Sequence, residues 1–164
     1  DFGTGDDLND IPNWEEEGYD NDPSTLAKEP TISGNDSASP DGGRFAKIDD
    51  GEWVCRDIDA SSYEDLSLGY YWRGDPSAED GESGMAEFQI GTDCESGIFT
   101  NVATHELDDG NNDIDEGWSV LQSIALPASV DNTTFALRFS NNAVASPSDE
   151  EFRVDKVTLT GTPN

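Results

Sequence analysis

Apolar residues recur along this chain at every second position, in runs led by Leu66, Leu68, Tyr70 and Trp72; by Ala86, Phe88 and Ile90; by Phe135, Leu137 and Phe139; and by Phe152 and Val154. The run Val120, Gln122, Ile124, Leu126 follows the same beat with one polar member. A period of two is that of a half-buried strand, whose successive side chains point to opposite faces. Arg44 to Ile48, Glu52 to Asp59 and Ile98 to Glu106 alternate more weakly, which brings the expectation to about eight strands. The breaks between runs are rich in Gly, Asn, Asp, Ser and Pro, the residues of turns. No segment carries a stripe of period 3.6, so helices are not expected.

Strands with one apolar and one polar face, joined without helical crossovers, form antiparallel sheets that bury their apolar faces against each other. The expected fold is therefore all-β, an antiparallel two-sheet β-sandwich of jelly-roll type, in one module spanning residues 1–164. Hydrophobic content is low at 33%, yet periodic placement makes it sufficient for a core. Four Trp, seven Phe and four Tyr are too many aromatics for a solvated tail. Asn21 to Asp41 reads as a long surface excursion, and Thr160 to Asn164 as a linker stub, as in one module of a larger extracellular protein.

Charge changes the picture most. Thirty-seven acidic residues face eight basic ones, for a net charge of -29, and the acids crowd into the Gly/Asn-rich loops. Neighbouring carboxylates on one loop lie within the Debye length of about 8 Å and repel, so a hard cation that neutralises them stabilises the fold. Salt can do the same in a hypersaline setting, in which case sodium or potassium chloride would stabilise as well as calcium. Clustered Lys and Arg are missing, which argues against nucleic acid and against an anionic membrane surface as partners. No stretch approaches the roughly 20 apolar residues that cross a bilayer, so membrane insertion is not expected. Cys55 and Cys94 either form one disulfide or stay as two buried thiols. With a single His, His105, and no CxxC pair, a tetrahedral zinc site is not expected.

The last run slips. Phe152 and Val154 alternate, but Val157 and Leu159 resume one residue out of phase, and the slip falls at Asp155. A bulge there re-aims a side chain, and a carboxylate turned inward needs a partner; the alternative is a solvated Asp beside Lys156 at a strand end.

The segments Phe135-Ala136-Leu137-Arg138-Phe139 and Phe152-Arg153-Val154-Asp155-Lys156-Val157, separated by a polar loop, resemble the ending of jelly-roll carbohydrate-binding modules and MAM-type extracellular domains. The opening Asp1-Phe2-Gly3-Thr4-Gly5-Asp6, followed by Trp14, is similar to the start of those modules, and Ser39 to Ile48 is similar to one of their early strands. In many of them a structural calcium joins the first strand, an early glycine-bearing loop and the Asp of the last strand. The resemblance thus implies a Ca2+ site built from Asp6, Asp41 and Asp155. Gly3 stands where the family commonly has Glu, so either Asp1, Asp6 or a backbone carbonyl substitutes there or the site is lost.

The densest oxygen cluster is the loop from Asp108 to Gly117. Read from Asp109, its third and fifth positions are Asn111 and Asp113, but the sixth is Ile114 rather than Gly and the twelfth is Val120 rather than Glu. It is not an EF-hand loop. Asp109, Asn111, Asp113 and Asp115 make either a second, irregular metal loop or a solvated turn region.

Sugar rings present apolar faces that stack on aromatics while polar neighbours fix their hydroxyls. Alternation puts Tyr71 and Arg73 opposite the apolar face of their strand, and Trp53 out of phase with Val54 and Ile58; these three are the candidate ligand surface. Trp14 and Trp118 resemble core or rim residues of the same family. No nucleophile elbow, phosphate-cradling loop or partnered His marks an enzyme, and acids in polar loops lack the burial that raises a catalytic carboxyl's pKa. The sequence reads as a non-catalytic, calcium-stabilised module, extracellular or at the cell surface, that recognises carbohydrate or a cell-surface ligand beside other domains of its parent. The rival is a purely structural module of a large adhesin or surface layer.

Overall fold

The computed structural model describes residues 40, 45–49, 51–74, 81–95, 97–107, 117–142 and 151–164, and the backbone alone at 15–16 and 31–33. Among the described residues ten strands follow one another: β1 (Glu15–Glu16), β2 (Thr31–Ser33), β3 (Phe45–Ile48), β4 (Trp53–Asp59), β5 (Tyr63–Gly74), β6 (Ser83–Ile90), β7 (Thr100–Glu106), β8 (Gln122–Ala125), β9 (Thr134–Asn141) and β10 (Phe152–Pro163). They form two five-stranded sheets, β1-β4-β9-β6-β7 and β2-β3-β10-β5-β8, here the first and second sheet. Every pairing is antiparallel. The chain is an all-β jelly-roll sandwich. Among the described residues the only helical turn is the short 3-10 segment Ala128–Val130, and no helix there is long and apolar enough to cross a membrane.

The alternating runs supply the core. Val54, Ala86, Phe88, Phe135, Leu137 and Phe139 from the first sheet meet Ile48, Leu66, Leu68, Tyr70, Phe152 and Val154 from the second. Truncating one of the buried phenylalanines to Ala costs about 3–5 kcal/mol. At Gly84 the first sheet lies against the Phe152 ring of the second, which a methyl group there would overlap. Only a residue without Cβ admits that contact. A polar link also crosses the core: the Tyr70 hydroxyl on β5 hydrogen-bonds His105 Nε2 on β7 at 2.7 Å, and the imidazole stacks on Trp72 with ring centroids 4.5 Å apart. Burial holds the His105 pKa down at about 4 and pushes that of Tyr70 up.

The slip in β10 is a bulge. Asp155 pairs with Tyr71 and Thr158 with Gly69, so three steps on β10 oppose two on β5, and Lys156 takes a left-handed φ of 52°. Asp155 is 1% exposed, which answers the alternative of a solvated strand end.

Three readings of the sequence are corrected. Val120 is 81% exposed, because β8 begins only at Gln122 and pairs with β5 through four residues. Thr160 to Pro163 is no linker stub: it continues β10 along the first half of β5. The excursion from Asn21 to Asp41 contains β2, which pairs with β3.

Candidate functional site

The outer face of the first sheet is laid out by its register. Trp53, Ser140, Met85 and Thr104 form one row across β4, β9, β6 and β7; Cys55, Arg138, Glu87 and Asn101 form the next; Asp57, Ala136 and Gln89 form a third. These residues point away from the core because their neighbours Val54, Ile58, Phe135, Leu137, Phe139, Ala86 and Phe88 point into it.

A disulfide between Cys55 and Cys94 pins the loop after β6 onto this face. The pairing is the first of the two states the sequence left open for these cysteines. Both cysteines and Ala136 are buried, and Trp53 and Phe99 pack, half-exposed, on this small apolar base. The loop is tied a second time, by the side-chain amide of Gln89, which donates to the Asp93 carbonyl. Two aromatic side chains are thereby seated on one buried base at the surface, and an ordered ring costs a stacking ligand little entropy.

Polar groups border the aromatics. Arg138 Nε donates to Glu87 Oε2 at 2.9 Å, and the Ser140 hydroxyl donates to the same oxygen at 2.7 Å. The Arg138 guanidinium carbon lies 3.7 Å from the centre of the Phe99 ring, a cation–π contact that fixes both groups. Glu87 is buried and its Oε2 already has two donors. What remains is a half-exposed Trp53 with Ser140 beside it in register, next to a Phe99 ring that carries the Arg138 guanidinium on one face; an aromatic ring with such polar neighbours can take a neutral ligand that has an apolar face and hydroxyls.

The second sheet's outer face is different. Tyr71 and Arg73 lie there as alternation requires, half-buried, in register with Asp155 and Arg153. Lys47 bridges Asp49 at 3.3 Å and Glu151 at 2.8 Å, and Arg153 binds Glu151 through Nε at 2.6 Å. Trp118 meets Phe45 edge to face, with centroids 5.3 Å apart. The three residues read as one ligand surface therefore divide: Tyr71 and Arg73 are on one side of the sandwich and Trp53 on the other. Which outer faces coincide is set by strand order, and alternation within single strands does not contain it. Phe99, Arg138 and Glu87 escaped the sequence reading because only the β4-β9-β6 register and the disulfide bring them to Trp53.

Of the implied calcium ligands, Asp155 is described and Asp6 and Asp41 lie outside the described residues, as do Asp109, Asn111, Asp113 and Asp115 of the second loop. Among the described residues no group of three or more His, Cys, Asp or Glu is arranged to hold a metal. Asp155 has the chemistry of such a ligand: a buried carboxylate in a bulge, its Oδ1 accepting from the Lys156 N–H at 2.6 Å.

No protein-family model and no curated protein matches the sequence. Solved structures do. TmCBM61, solved in complex with β-1,4-galactotriose, superposes with a TM-score of 0.59 at 12% identity over 94% of this chain and 92% of its own. The K1 cleaved adhesin domain of Lys-gingipain from Porphyromonas gingivalis W83 matches with a TM-score of 0.59 at 10% identity, over 92% of each chain. The CBM22-1–GH10 modules of Clostridium thermocellum endo-1,4-β-D-xylanase 10B, complexed with xylohexaose, give 0.54 at 15% identity over 93% of this chain and 26% of theirs. The fold is that of these β-sandwich modules.

Proposed function

We propose that this chain is a non-catalytic carbohydrate-recognition module of an extracellular or surface-displayed protein, steadied by calcium. Its sugar rests on the outer face of the first sheet. The observation that carries the reading is the aromatic surface of Trp53 and Phe99, seated on the buried Cys55–Cys94 disulfide and bordered by Arg138 and Ser140. Two of the structures that share the fold hold oligosaccharides, which supports a sugar as the ligand class. The disulfide supports an oxidising, extracytoplasmic setting. Calcium rests on Asp155 with Asp6 and Asp41 as its partners, and on the benefit that so acidic a chain gains from a divalent cation.

A glycan array in millimolar calcium, followed by calorimetry on the retained sugar, tests the reading. Trp53→Ala removes a stacking surface worth about 1–2 kcal/mol, or roughly 5- to 30-fold in affinity. Tyr71→Ala, on the other face, leaves affinity unchanged. The likeness to an adhesin domain favours one rival, a purely structural module. That rival holds if no glycan is retained, with calcium present and the fold intact.

A further inference from the structure

We propose that Asn132 is the acceptor of an N-linked glycan. Asn132-Thr133-Thr134 is an Asn-X-Thr sequence whose middle residue is not Pro. Many such sequences lie wholly in strands or cores where no transferase can reach them; here Asn132 and Thr133 precede the strand and only Thr134 begins β9. Asn132 is exposed, in the turn between the 3-10 segment Ala128–Val130 and β9, with a left-handed φ of 58° that Asn tolerates better than most residues. Two contacts hold the residue in its turn. Its Oδ1 accepts from the Asn164 side-chain amide and its backbone N–H donates to the Tyr63 carbonyl at 2.9 Å. Among the described residues nothing engages Nδ2, the atom that is glycosylated. Tyr63 is 44% exposed beside the turn, an aromatic surface for the first sugar ring. A second, independent observation bears on the compartment: the Cys55–Cys94 disulfide supports an oxidising, extracytoplasmic setting.

The donor is a sugar linked through its anomeric oxygen to the phosphate of a lipid carrier. A bond forms between Asn132 Nδ2 and the anomeric carbon, the bond from that carbon to the phosphate oxygen breaks, and the amide proton leaves with the lipid phosphate. No redox change is involved. Thr134 pairs with Asp59, and Ser140 with Trp53, so the turn lies at the opposite end of the β4–β9 pair from Trp53. At 3.4 Å per residue the separation is about 20 Å.

The test is secretion of the full chain from a glycosylating eukaryotic host, with mass spectrometry of the peptide that contains residue 132. Reading the peptide separates this site from Asn35-Asp36-Ser37, which fits the same pattern outside the described residues. The expected result is a hexosamine-bearing core on Asn132 in most molecules, kept in Thr134→Ser and lost in both Thr134→Ala and Asn132→Gln. Thr134→Ala retains the amide and the turn, so loss there reports the acceptor sequence and not misfolding. A secreted chain with the disulfide formed and Asn132 bare, or a modification that survives Thr134→Ala, overturns the proposal.

Discussion

The two outer faces of this sandwich come from strands with the same alternation, yet one is aromatic and held by a disulfide while the other is ionic. On the first sheet Trp53 and Phe99 cover Cys55, Cys94 and Ala136, and the charged pair Arg138–Glu87 is knitted into the face. On the second, Lys47, Arg153, Asp49 and Glu151 form an ion network around the bulge that buries Asp155. The difference teaches that a polar face is not one kind of surface. Charged groups satisfied by each other offer a ligand little, because displacing them loses a made interaction. A pinned aromatic face offers area that is already ordered.

The comparison breaks most readily at Asp155. Asp155→Asn should cost about 3–5 kcal/mol in millimolar calcium, the scale for removing one member of a buried charged set. Chelator should shrink that cost, because the wild type loses its cation while the variant has none to lose. Thermal melts of both proteins with calcium and with chelator check this; an equal cost in both solutions would sink the calcium ligand assignment.

Next comes the disulfide. It closes a loop of sequence separation 39, for which chain entropy predicts about 3–4 kcal/mol of stabilisation. The double variant Cys55→Ser, Cys94→Ser should lose that stability in denaturant titrations. It should also lose sugar affinity, because Phe99 and its loop are no longer held down. Unchanged affinity in a folded double variant would separate the aromatic surface from its base.

Smaller again is the pH effect of the link between the sheets. His105 is held at about 4 in the fold, below its ordinary value of 6.5. The unfolded chain therefore takes up the proton first as pH falls. Stability from a neutral His105 is complete above pH 6.5 and drains away as pH drops toward 4, by about 2 kcal/mol once its residual solvent contact is allowed for. Protonation of the acidic loops works in the opposite direction by easing repulsion. Comparing wild type with His105→Gln in melts between pH 4 and 7 isolates the His term: the variant should lack the acid-side loss.

Smallest is the contrast already named between Trp53→Ala and Tyr71→Ala, a roughly 5- to 30-fold loss against none. A loss on the Tyr71 face with Trp53 silent would exchange the roles of the two faces.

Much of this was readable in the residues. Leu66, Leu68, Tyr70 and Trp72 turned inward, and Phe135, Leu137 and Phe139 did the same, as a period of two demands. The out-of-phase Val157 marked the bulge, which the register places between Asp155 and Thr158. Exposed Val120 was misread because an apolar residue continuing an alternating run resembles a strand residue whether or not a partner strand reaches it. The tail Thr160 to Pro163 was misread because small polar residues suit a linker and an edge strand equally.

Alternation is a local property, written in neighbouring residues, so the chain alone determined the all-strand class, the inward faces, the bulge and the acidic loops. Strand order is not local. Placing β9 between β4 and β6, and β10 between β3 and β5, joins residues that are distant along the chain. Only that non-local pairing decided that Trp53 shares its face with Arg138 and its buried base with Phe99, and that Tyr71 shares its face with a buried Asp155 instead.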